Sequence, residues 1–438
     1  MTPPSESDGV TFQSRWFFSV LFVTCSLPFF WNLTTERFFS ADGAGYFVSL
    51  LDHQWFVDFA WSRNHAVYLS QWPLVAMLRS GVTDVSLLKL TFGIGLYLPC
   101  LIAWIICLGV LPPKRRLLLL FPIFSMLSLT LAGDAIMTGE HHLLVYLVWP
   151  ILFLALDEDC HRWPRSLLLV ALLVCHTRLY ESAMATGSIF CVIFFVRMIL
   201  STNTRERLPH AIFFLLSLTS IVIACDAAFF PRDTTNRSSF LSAILYSAGD
   251  PTFLISAVFI IPFTIGLMLG EARWLKLGLI CFAVLAIVWI VLGQPSPTGL
   301  SFATRALTLW YLPLLMVAAS LTALLGRQLG PEFRTPLLLF VLAATTLHLG
   351  ASRHWLSYRK DFKSALDSGS GFVPKEDTPL MDNDQSWGWT SPLMSYLWSE
   401  GQVDTIILNA SDIGWEPFNP KKEAVLKDYV SLRVPLAP

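Results

Sequence analysis

The chain has 438 residues, of which 54% are hydrophobic and only 14% are charged. A soluble domain carries about 25% charged residues, so this composition excludes an ordinary soluble protein and predicts an integral membrane protein. The formal net charge of −1 offers no basic surface for nucleic acid. We therefore expect membrane lipids as partners and no nucleic acid.

Eleven apolar stretches are long enough, or nearly so, to cross about 30 Å of hydrocarbon as helices. They lie near 16–34, 86–110, 116–133, 142–157, 165–177, 183–200, 208–229, 252–270, 274–293, 306–326 and 334–351. Two further stretches, 66–80 and 241–249, are candidates for re-entrant or interfacial helices. The sequence predicts an all-α polytopic membrane protein with about eleven transmembrane helices. The first stretch lacks a cleavage-site pattern, so we expect it to be retained.

The distribution of basic residues predicts the orientation. If residues 1–15 form a cytoplasmic leader, thirteen Lys and Arg residues fall in cytoplasmic connections and six in the opposite ones. The positive-inside rule favours this arrangement. We expect a transmembrane domain over 16–351, with an outer-face loop at 35–85, in the bacterial inner membrane.

The last segment, 352–438, is predicted to be a periplasmic extension without a further span. Its composition shifts towards charged residues, Gly, Pro and Trp. Residues 403–409 are β-rich and predict a strand, and 392–399 predict a short helix. We expect a cap that packs on the membrane domain, with a small separate domain as the alternative.

The first outer loop carries an acidic, glycine-flanked turn, SADGAGY at 40–46. Glycines at 43 and 45 leave room for a ligand to approach the backbone beside Asp42, with Tyr46 as a substrate contact. The next residues, to Trp55, have apolar positions at helical spacing and predict an interfacial helix. The alternative for Asp42 is an ordinary helix-capping role.

A second outer turn contains Glu140, His141 and His142, with Asp134 a few residues before it. Ionisable residues at the end of a span are candidates for function. Glu140 is the candidate for an acid–base or substrate-orienting role, and His141 for a substrate contact. A divalent cation on these residues is the alternative, but adjacent His side chains on a helix are expected to point apart.

Three arginines on the outer face are candidates for phosphate binding, because a guanidinium presents a fork of donors that matches phosphate oxygens. Arg178 lies in the polar run HTRLYE at 176–181. Glu181, in the same run, is a further candidate for substrate binding. The alternative is that Arg178 and Glu181 simply pair on a helix face. Arg305 precedes the tenth stretch. The alternative for Arg305 is that its side chain snorkels to the membrane interface without binding phosphate. Arg63 lies in the first loop, where a solvated position is the default.

The cysteines and standard motifs exclude several function classes. Seven of the eight Cys lie in apolar runs, and no disulfide framework or zinc spacing is visible. No P-loop, Rossmann fingerprint, G-x-S-x-G or H-E-x-x-H motif occurs. The lack of a phosphate-cradling glycine loop argues against a nucleotide-sugar donor and favours a membrane-soluble one.

This pattern resembles the GT-C superfamily of membrane glycosyltransferases, which use polyprenyl-phosphate-linked sugars. The resemblance rests on the inside N-terminus, the acidic first outer loop, the number of spans and the outer extension, and covers about 16–351. It implies that Asp42 is the catalytic base, with Asp52 and Asp58 as weaker positional alternatives. It also implies that Glu140 or Asp134 assists substrate or metal binding. Because the first loop has Asp-Gly rather than paired acids, no cofactor is firmly expected, and a divalent cation stays open.

The expected function is transfer of a sugar from a polyprenyl-phosphate donor to a glycan, lipid or protein acceptor in the cell envelope. In this hypothesis Asp42 removes a proton from the acceptor, and Arg178 or Arg305 stabilises the departing phosphate. A lipid or oligosaccharide transporter or flippase is the main alternative, although no internal repeat is visible. A non-catalytic envelope-assembly subunit is the third.

Overall fold

The computed structural model describes residues 21, 23–24, 26–40, 43–57, 61–131, 140–230, 251–292, 297–325, 333–380, 390–399, 402–408 and 431–432. The described part is mainly helical. Its α-helices are α1 (26–35), α2 (Gly43–His53), α3 (Asn64–Arg79), α4 (Val85–Val110), α5 (Leu120–Leu131), α6 (Glu140–Ala155), α7 (Trp163–His176), α8 (Ala183–Leu200), α9 (Thr204–Phe229), α10 (Pro251–Leu269), α11 (Ala272–Leu292), α12 (Pro297–Leu324), α13 (Arg334–Ser368) and α14 (Ser391–Trp398). The strands are β1 (Gly371–Pro374), β2 (Gln402–Val403), β3 (Thr405–Leu408) and β4 (Ser431–Leu432).

The predicted all-α class is confirmed in its coarse form, because each of the eleven apolar stretches contains one of these helices. Among the described residues, four helices are long and apolar enough to cross a membrane: Val85–Val110, Ala183–Leu200, Thr204–Phe229 and Thr335–Ser368. Three further apolar helices are shorter: His141–Ala155, Trp163–His176 and Thr308–Leu324. The number of crossings stays a prediction.

Local sequence explains where several helices begin and how closely they pack. Asp84 caps α4, since its side chain accepts hydrogen bonds from the amides of Ser86 and Leu87 at 2.9 and 3.1 Å. On the same helix, a Cβ atom at Gly95 would lie 2.3 Å from the Ser70 carbonyl oxygen of α3. Only glycine allows this approach, so the 66–80 stretch, helical as predicted, lies directly against α4.

The buried apolar residues form two clusters. The larger one joins α1 and α4–α13 and makes the interior of the helix bundle. The second lies between α2, α3, the start of α4, the end of α13, α14 and β3. The first loop and the C-terminal segment therefore share a hydrophobic core of their own, outside the main bundle.

Helix α13 connects the two clusters. Its 35 residues correspond to about 50 Å at 1.5 Å per residue, more than the ~30 Å of a bilayer core. It passes without a break through 351–352, where the sequence placed the start of the extension. Trp355, one turn beyond that point, donates from Nε1 to the Thr35 carbonyl of α1 at 3.1 Å.

The C-terminal segment folds over the first loop. Strand β1 pairs with β3 in parallel, with Phe372 opposite Ile406, and β2 pairs with β4 in the same way. The predicted strand at 403–409 and the predicted helix at 392–399 are both confirmed, as β3 and α14. Tyr396 and Trp398 of α14 are buried. We call the unit made by β1, β3 and α14 the cap.

The connections between helices gather at two ends of the bundle. At one end, which we call the arginine-capped end, the α4–α5, α6–α7 and α8–α9 connections meet: Arg115 donates to the Leu156 carbonyl at 3.5 Å and Arg197 to the Asp157 carbonyl at 2.6 Å. At the other, the loop end, the first loop contacts the 177–182 turn and the cap. Connections expected on one face of the membrane are thus close in space; which face is outer stays a prediction.

Candidate functional site

The loop end contains a buried ion pair between the first loop and the 177–182 turn. Arg63 donates from Nε to Glu181 Oε1 at 2.9 Å, and the two side chains are only 15% and 9% exposed. The guanidinium also lies over the Tyr180 ring, 4.8 Å from its centroid. The default expectation of a solvated Arg63 is therefore wrong: this arginine is a link between two loops.

Glu181 pairs with Arg63 and not with Arg178, its near neighbour in the sequence. Residues 177–182 form turns between α7 and α8 rather than a continuous helix, so Arg178 and Glu181 do not share a helix face and the alternative of a local pair is wrong. Instead Arg178 is half-buried with its guanidinium 5.7 Å from the centroid of the Trp61 ring. In the part of the chain that the structure describes, no carboxylate pairs with Arg178. It keeps the donors that a phosphate would require.

Backbone contacts hold the Arg178 turn against the first loop. The His65 amide donates to the Arg178 carbonyl at 3.2 Å, and His65 Nδ1 lies 3.2 Å from the Cys175 carbonyl oxygen. We call Trp61, Arg63, Arg178, Tyr180 and Glu181 the Arg178 cluster. All five residues are polar or aromatic in the sequence, but their assembly depends on contacts across more than 100 positions, such as the 118 that separate Arg63 from Glu181.

The His141–His142 pair borders this cluster. The two rings lie 4.4 Å apart, and the His141 ring is 5.9 Å from that of Tyr180 in an edge-on arrangement. The expectation that these side chains point apart is therefore wrong. Glu140 is the first residue of α6, but its side chain lies outside the description. Across the described ranges, no group of three or more His, Cys, Asp or Glu side chains is placed to hold a metal ion.

The remaining acidic candidates differ in how far the structure describes them. Asp42, Asp58 and Asp134 lie outside the described residues. The segments on both sides of Asp42 are well buried: Phe38, Phe39 and Ser40 before it and Gly43 to Gly45 after it. Asp52, by contrast, is exposed near the end of α2, 3.7 Å from the His53 ring nitrogen Nδ1.

The predicted interfacial helix after this turn is confirmed as a helix, α2, with Phe47, Leu50 and Leu51 buried. Tyr46 is half-buried and packs on the second core cluster. Trp55 lies beyond the helix end and is exposed, with the Arg79 guanidinium 4.8 Å from its ring centroid. Arg305 lies within α12, and its side chain is not described, so the structure does not place it relative to the cluster.

Sequence reasoning missed a second polar group at the loop end. Asn32 of α1, Arg37 just after it, Tyr97 of α4, and His348 and Ser352 of α13 are all buried. Arg37 Nη1 donates to Ser352 Oγ at 3.2 Å, and Ser352 Oγ donates to Asn32 Oδ1 at 2.8 Å. We call these five residues the Arg37 cluster. No motif marks them, because contacts such as that between Arg37 and Ser352 join positions 315 residues apart along the chain.

A further contact missed from sequence ties the cap to the first loop. Glu36 accepts from Arg359 Nη2 of α13 at 2.9 Å and from Trp398 Nε1 of α14 at 3.1 Å. Glu36 itself adopts a left-handed conformation with φ of 56°. A non-glycine residue rarely holds this conformation unless its surroundings fix it, and the two partners supply that constraint six residues before Asp42.

The loop end therefore combines buried cations, aromatic faces and the flanks of an acidic turn, which together suit an anionic substrate. No family model, curated protein or solved structure matches this chain.

Proposed function

We propose that this protein is a membrane glycosyltransferase that transfers a sugar from a polyprenyl-phosphate donor to an envelope acceptor, with its active site at the loop end. The observation that carries the proposal is the arrangement of Arg178: Glu181 is taken by Arg63, and Arg178 lies beside Trp61 without a carboxylate partner among the described residues. A half-buried guanidinium in this state is suited to a phosphate group.

The proposed reaction assigns the chemistry to two residues. Asp42 takes the proton from an acceptor hydroxyl, and the hydroxyl oxygen bonds to the anomeric carbon of the sugar. The bond from that carbon to the donor's phosphate oxygen breaks, and polyprenyl phosphate leaves with the electron pair. Arg178 stabilises the negative charge that develops on this oxygen. Base catalysis of this kind contributes about 10²- to 10⁴-fold.

The second core cluster supports this assignment by fixing the first loop. Residues 36–40 are held by Phe38 and Phe39 in the core and by the Glu36 contacts to Arg359 and Trp398. A base must be held within hydrogen-bond reach of its substrate, so a firmly anchored loop is the expected setting for one. The extension at 352–438 then acts as a structural support for the active-site loop.

The proposal is tested with purified protein in lipid nanodiscs, incubated with a panel of polyprenyl-phosphate sugars and a cell-envelope extract. The release of polyprenyl phosphate is measured by mass spectrometry. We expect the wild type to consume one donor, Asp42→Asn to lose at least about 10²-fold in rate, and the control Asp52→Asn to keep its activity. Full activity of Asp42→Asn would remove Asp42 from the mechanism.

Two other results would replace the proposal. If the protein moves a labelled lipid between leaflets without forming a glycosidic bond, it is a transporter or flippase. If it neither consumes nor moves any donor, but removal of the cap releases a copurifying protein, it is an envelope-assembly subunit.

A further inference from the structure

His176 is a buried polar residue at the point where α7 ends. It is the last residue of that helix, and it is 0% exposed. Thr186 of α8 and Ser220 of α9, which face it, are also completely buried. Apolar side chains of similar shape could fill such a space without hydrogen bonds and at little cost. The meeting of three polar side chains at this point therefore requires a reason.

The His176 ring is paired through both of its nitrogens. Nε2 lies 2.9 Å from Thr186 Oγ1, and Nδ1 lies 2.8 Å from Ser220 Oγ. A neutral imidazole has one donor and one acceptor nitrogen, and a hydroxyl can serve as either, so both contacts are satisfied in either tautomer. A buried polar network in which every member is paired specifies a single packing arrangement. This network therefore fixes the end of α7 against α8 and α9.

Helices α8 and α9 lie very close together beside this network. A Cβ atom at Gly187 would lie 3.3 Å from the Ser217 carbonyl oxygen and 3.7 Å from Ser220 Cβ. Ser220 Oγ also lies 3.3 Å from the His176 carbonyl oxygen. Both the side chain and the backbone of His176 are thus tied to α9.

The network lies directly beside the Arg178 cluster. Arg178 follows His176 by two residues, and its carbonyl accepts a hydrogen bond from the His65 amide at 3.2 Å. Helix α9 also contacts the segment Trp61–Arg63, which carries the aromatic ring next to the Arg178 guanidinium. The same helix therefore supports both the turn that holds Arg178 and the ring on which Arg178 lies.

We propose that His176 is a positioning residue for Arg178. Its contacts with Thr186 and Ser220 hold the 177–182 turn so that the guanidinium meets the phosphate of the donor. This inference rests on the proposed function, because His176 acts only through the phosphate contact of Arg178. A misplacement of about 1 Å can cost about 10²-fold in rate, so a network that specifies one arrangement is of use at this position.

The test removes the two hydroxyls and keeps the histidine, because loss of the ring itself could prevent folding. The hydroxyl-deleted variant combines Thr186→Val with Ser220→Ala. The matched control is Ser217→Ala: Ser217 is also 0% exposed on α9, but its hydroxyl donates to the Phe213 carbonyl of its own helix at 2.8 Å. Ser220→Ala alone serves as a second, milder variant, with melting temperatures recorded for all of them.

Each change is made both in the wild type and in Arg178→Gln. The full-length protein is placed in lipid nanodiscs, and the probe is polyprenyl monophosphate, the lipid released in the proposed transfer. Its dissociation constant is measured by native mass spectrometry. The four combinations form a double-mutant cycle, which separates an effect that acts through Arg178 from one that does not.

We expect the wild type and Ser217→Ala to bind polyprenyl monophosphate equally. Arg178→Gln and the hydroxyl-deleted variant should each bind it about tenfold more weakly, the effect of losing one hydrogen bond to a charged group. In the Arg178→Gln background, removal of the hydroxyls should cause no further loss, because both changes remove the same contact. A purely structural network would instead weaken binding by the same factor in both backgrounds.

Two results overturn the inference and leave the proposed function in place. In the first, the hydroxyl-deleted variant binds the probe as the wild type does. In the second, it loses affinity equally with and without Arg178. A third result, in which Arg178→Gln binds the probe as tightly as the wild type or the wild type does not bind it, overturns the phosphate contact and the inference together.

Discussion

Arg197, at the arginine-capped end of the helix bundle, and Arg178, at the loop end, have opposite surroundings. At the arginine-capped end, Arg197 donates to the Asp157 carbonyl and to Cys160 Sγ, and Arg165 pairs with Asp157. These groups lie just beyond the C-terminus of α6, where carbonyls without helical partners and the helix dipole favour cations. At the loop end, Arg178 lies on the aromatic face of Trp61 and has no carboxylate partner among the described residues.

This difference supports our proposal that the active site lies at the loop end. An arginine whose donors find partners within the fold contributes to stability, whereas an arginine without a carboxylate partner can bind an anionic substrate. Burial also raises the pKa of the Cys160 thiol at the arginine-capped end, although the Arg197 charge opposes it. A buried thiol with a raised pKa is unreactive, in agreement with a structural role for that end.

The largest expected effect is on catalysis at the loop end. Arg178→Gln should lower the rate of polyprenyl-phosphate release by about 10²- to 10³-fold, the cost of one charge-stabilising donor. The melting temperature should stay within a degree or so of the wild type, because Arg178 has no carboxylate partner in the described structure. Arg162→Gln is the control, since Arg162 is exposed and, among the described residues, pairs with Asp159. Equal activity of Arg178→Gln and Arg162→Gln would contradict the proposed functional difference between the two ends.

The next effect is on stability, also at the loop end. Glu181→Gln removes the carboxylate charge that faces Arg63 in a largely buried position, which should cost about 3 kcal/mol. Chemical denaturation in detergent measures this loss. Asp159→Asn, which removes partly exposed pairs with Arg162 and Arg165, should cost less than about 1 kcal/mol. Similar losses in the two variants would mean that the Arg63–Glu181 link is not a buried structural contact.

At the arginine-capped end we expect stability to change without a change in chemistry. Arg197→Met removes hydrogen bonds to the Asp157 carbonyl and Cys160 and should cost about 2 kcal/mol. The transfer rate, normalised to folded protein, should equal that of the wild type. A selective loss of transfer in this variant would show that the arginine-capped end takes part in the reaction.

The smallest effect concerns the cap. Glu36→Gln weakens the contacts to Arg359 and Trp398. The Glu36–Arg359 ion pair is about one-fifth exposed on each side, so the variant should lose about 1 kcal/mol of unfolding free energy. Hydrogen exchange should rise in α14 and β3 and stay unchanged in α8 and α9. Uniform exchange across the chain would indicate that the cap is held by its apolar core alone.

Local sequence predicted the elements but not the contacts between them. The apolar periodicity predicted α2, and the composition of 392–399 predicted α14. Both predictions succeeded because a helix of this length depends on residues within two or three turns. The pairing of Arg63 with Glu181 was missed because the three-residue spacing of Arg178 and Glu181 offered a nearer partner that the turn at 177–182 does not allow. The Arg37 cluster was missed because a single Asn, Tyr or Ser in an apolar helix carries no signal until α1, α4 and α13 are packed together.

The most direct test of the account is to identify the lipid that stays bound to the Asp42→Asn protein. The protein is first incubated with the donor that the wild type consumes. Native mass spectrometry of the washed complex identifies it. If Asp42 is the base and Arg178 binds the phosphate, the variant retains the intact sugar-linked donor, and the double variant with Arg178→Gln retains none. Release of polyprenyl phosphate by Asp42→Asn, or retention of the donor unchanged by loss of Arg178, would contradict the account.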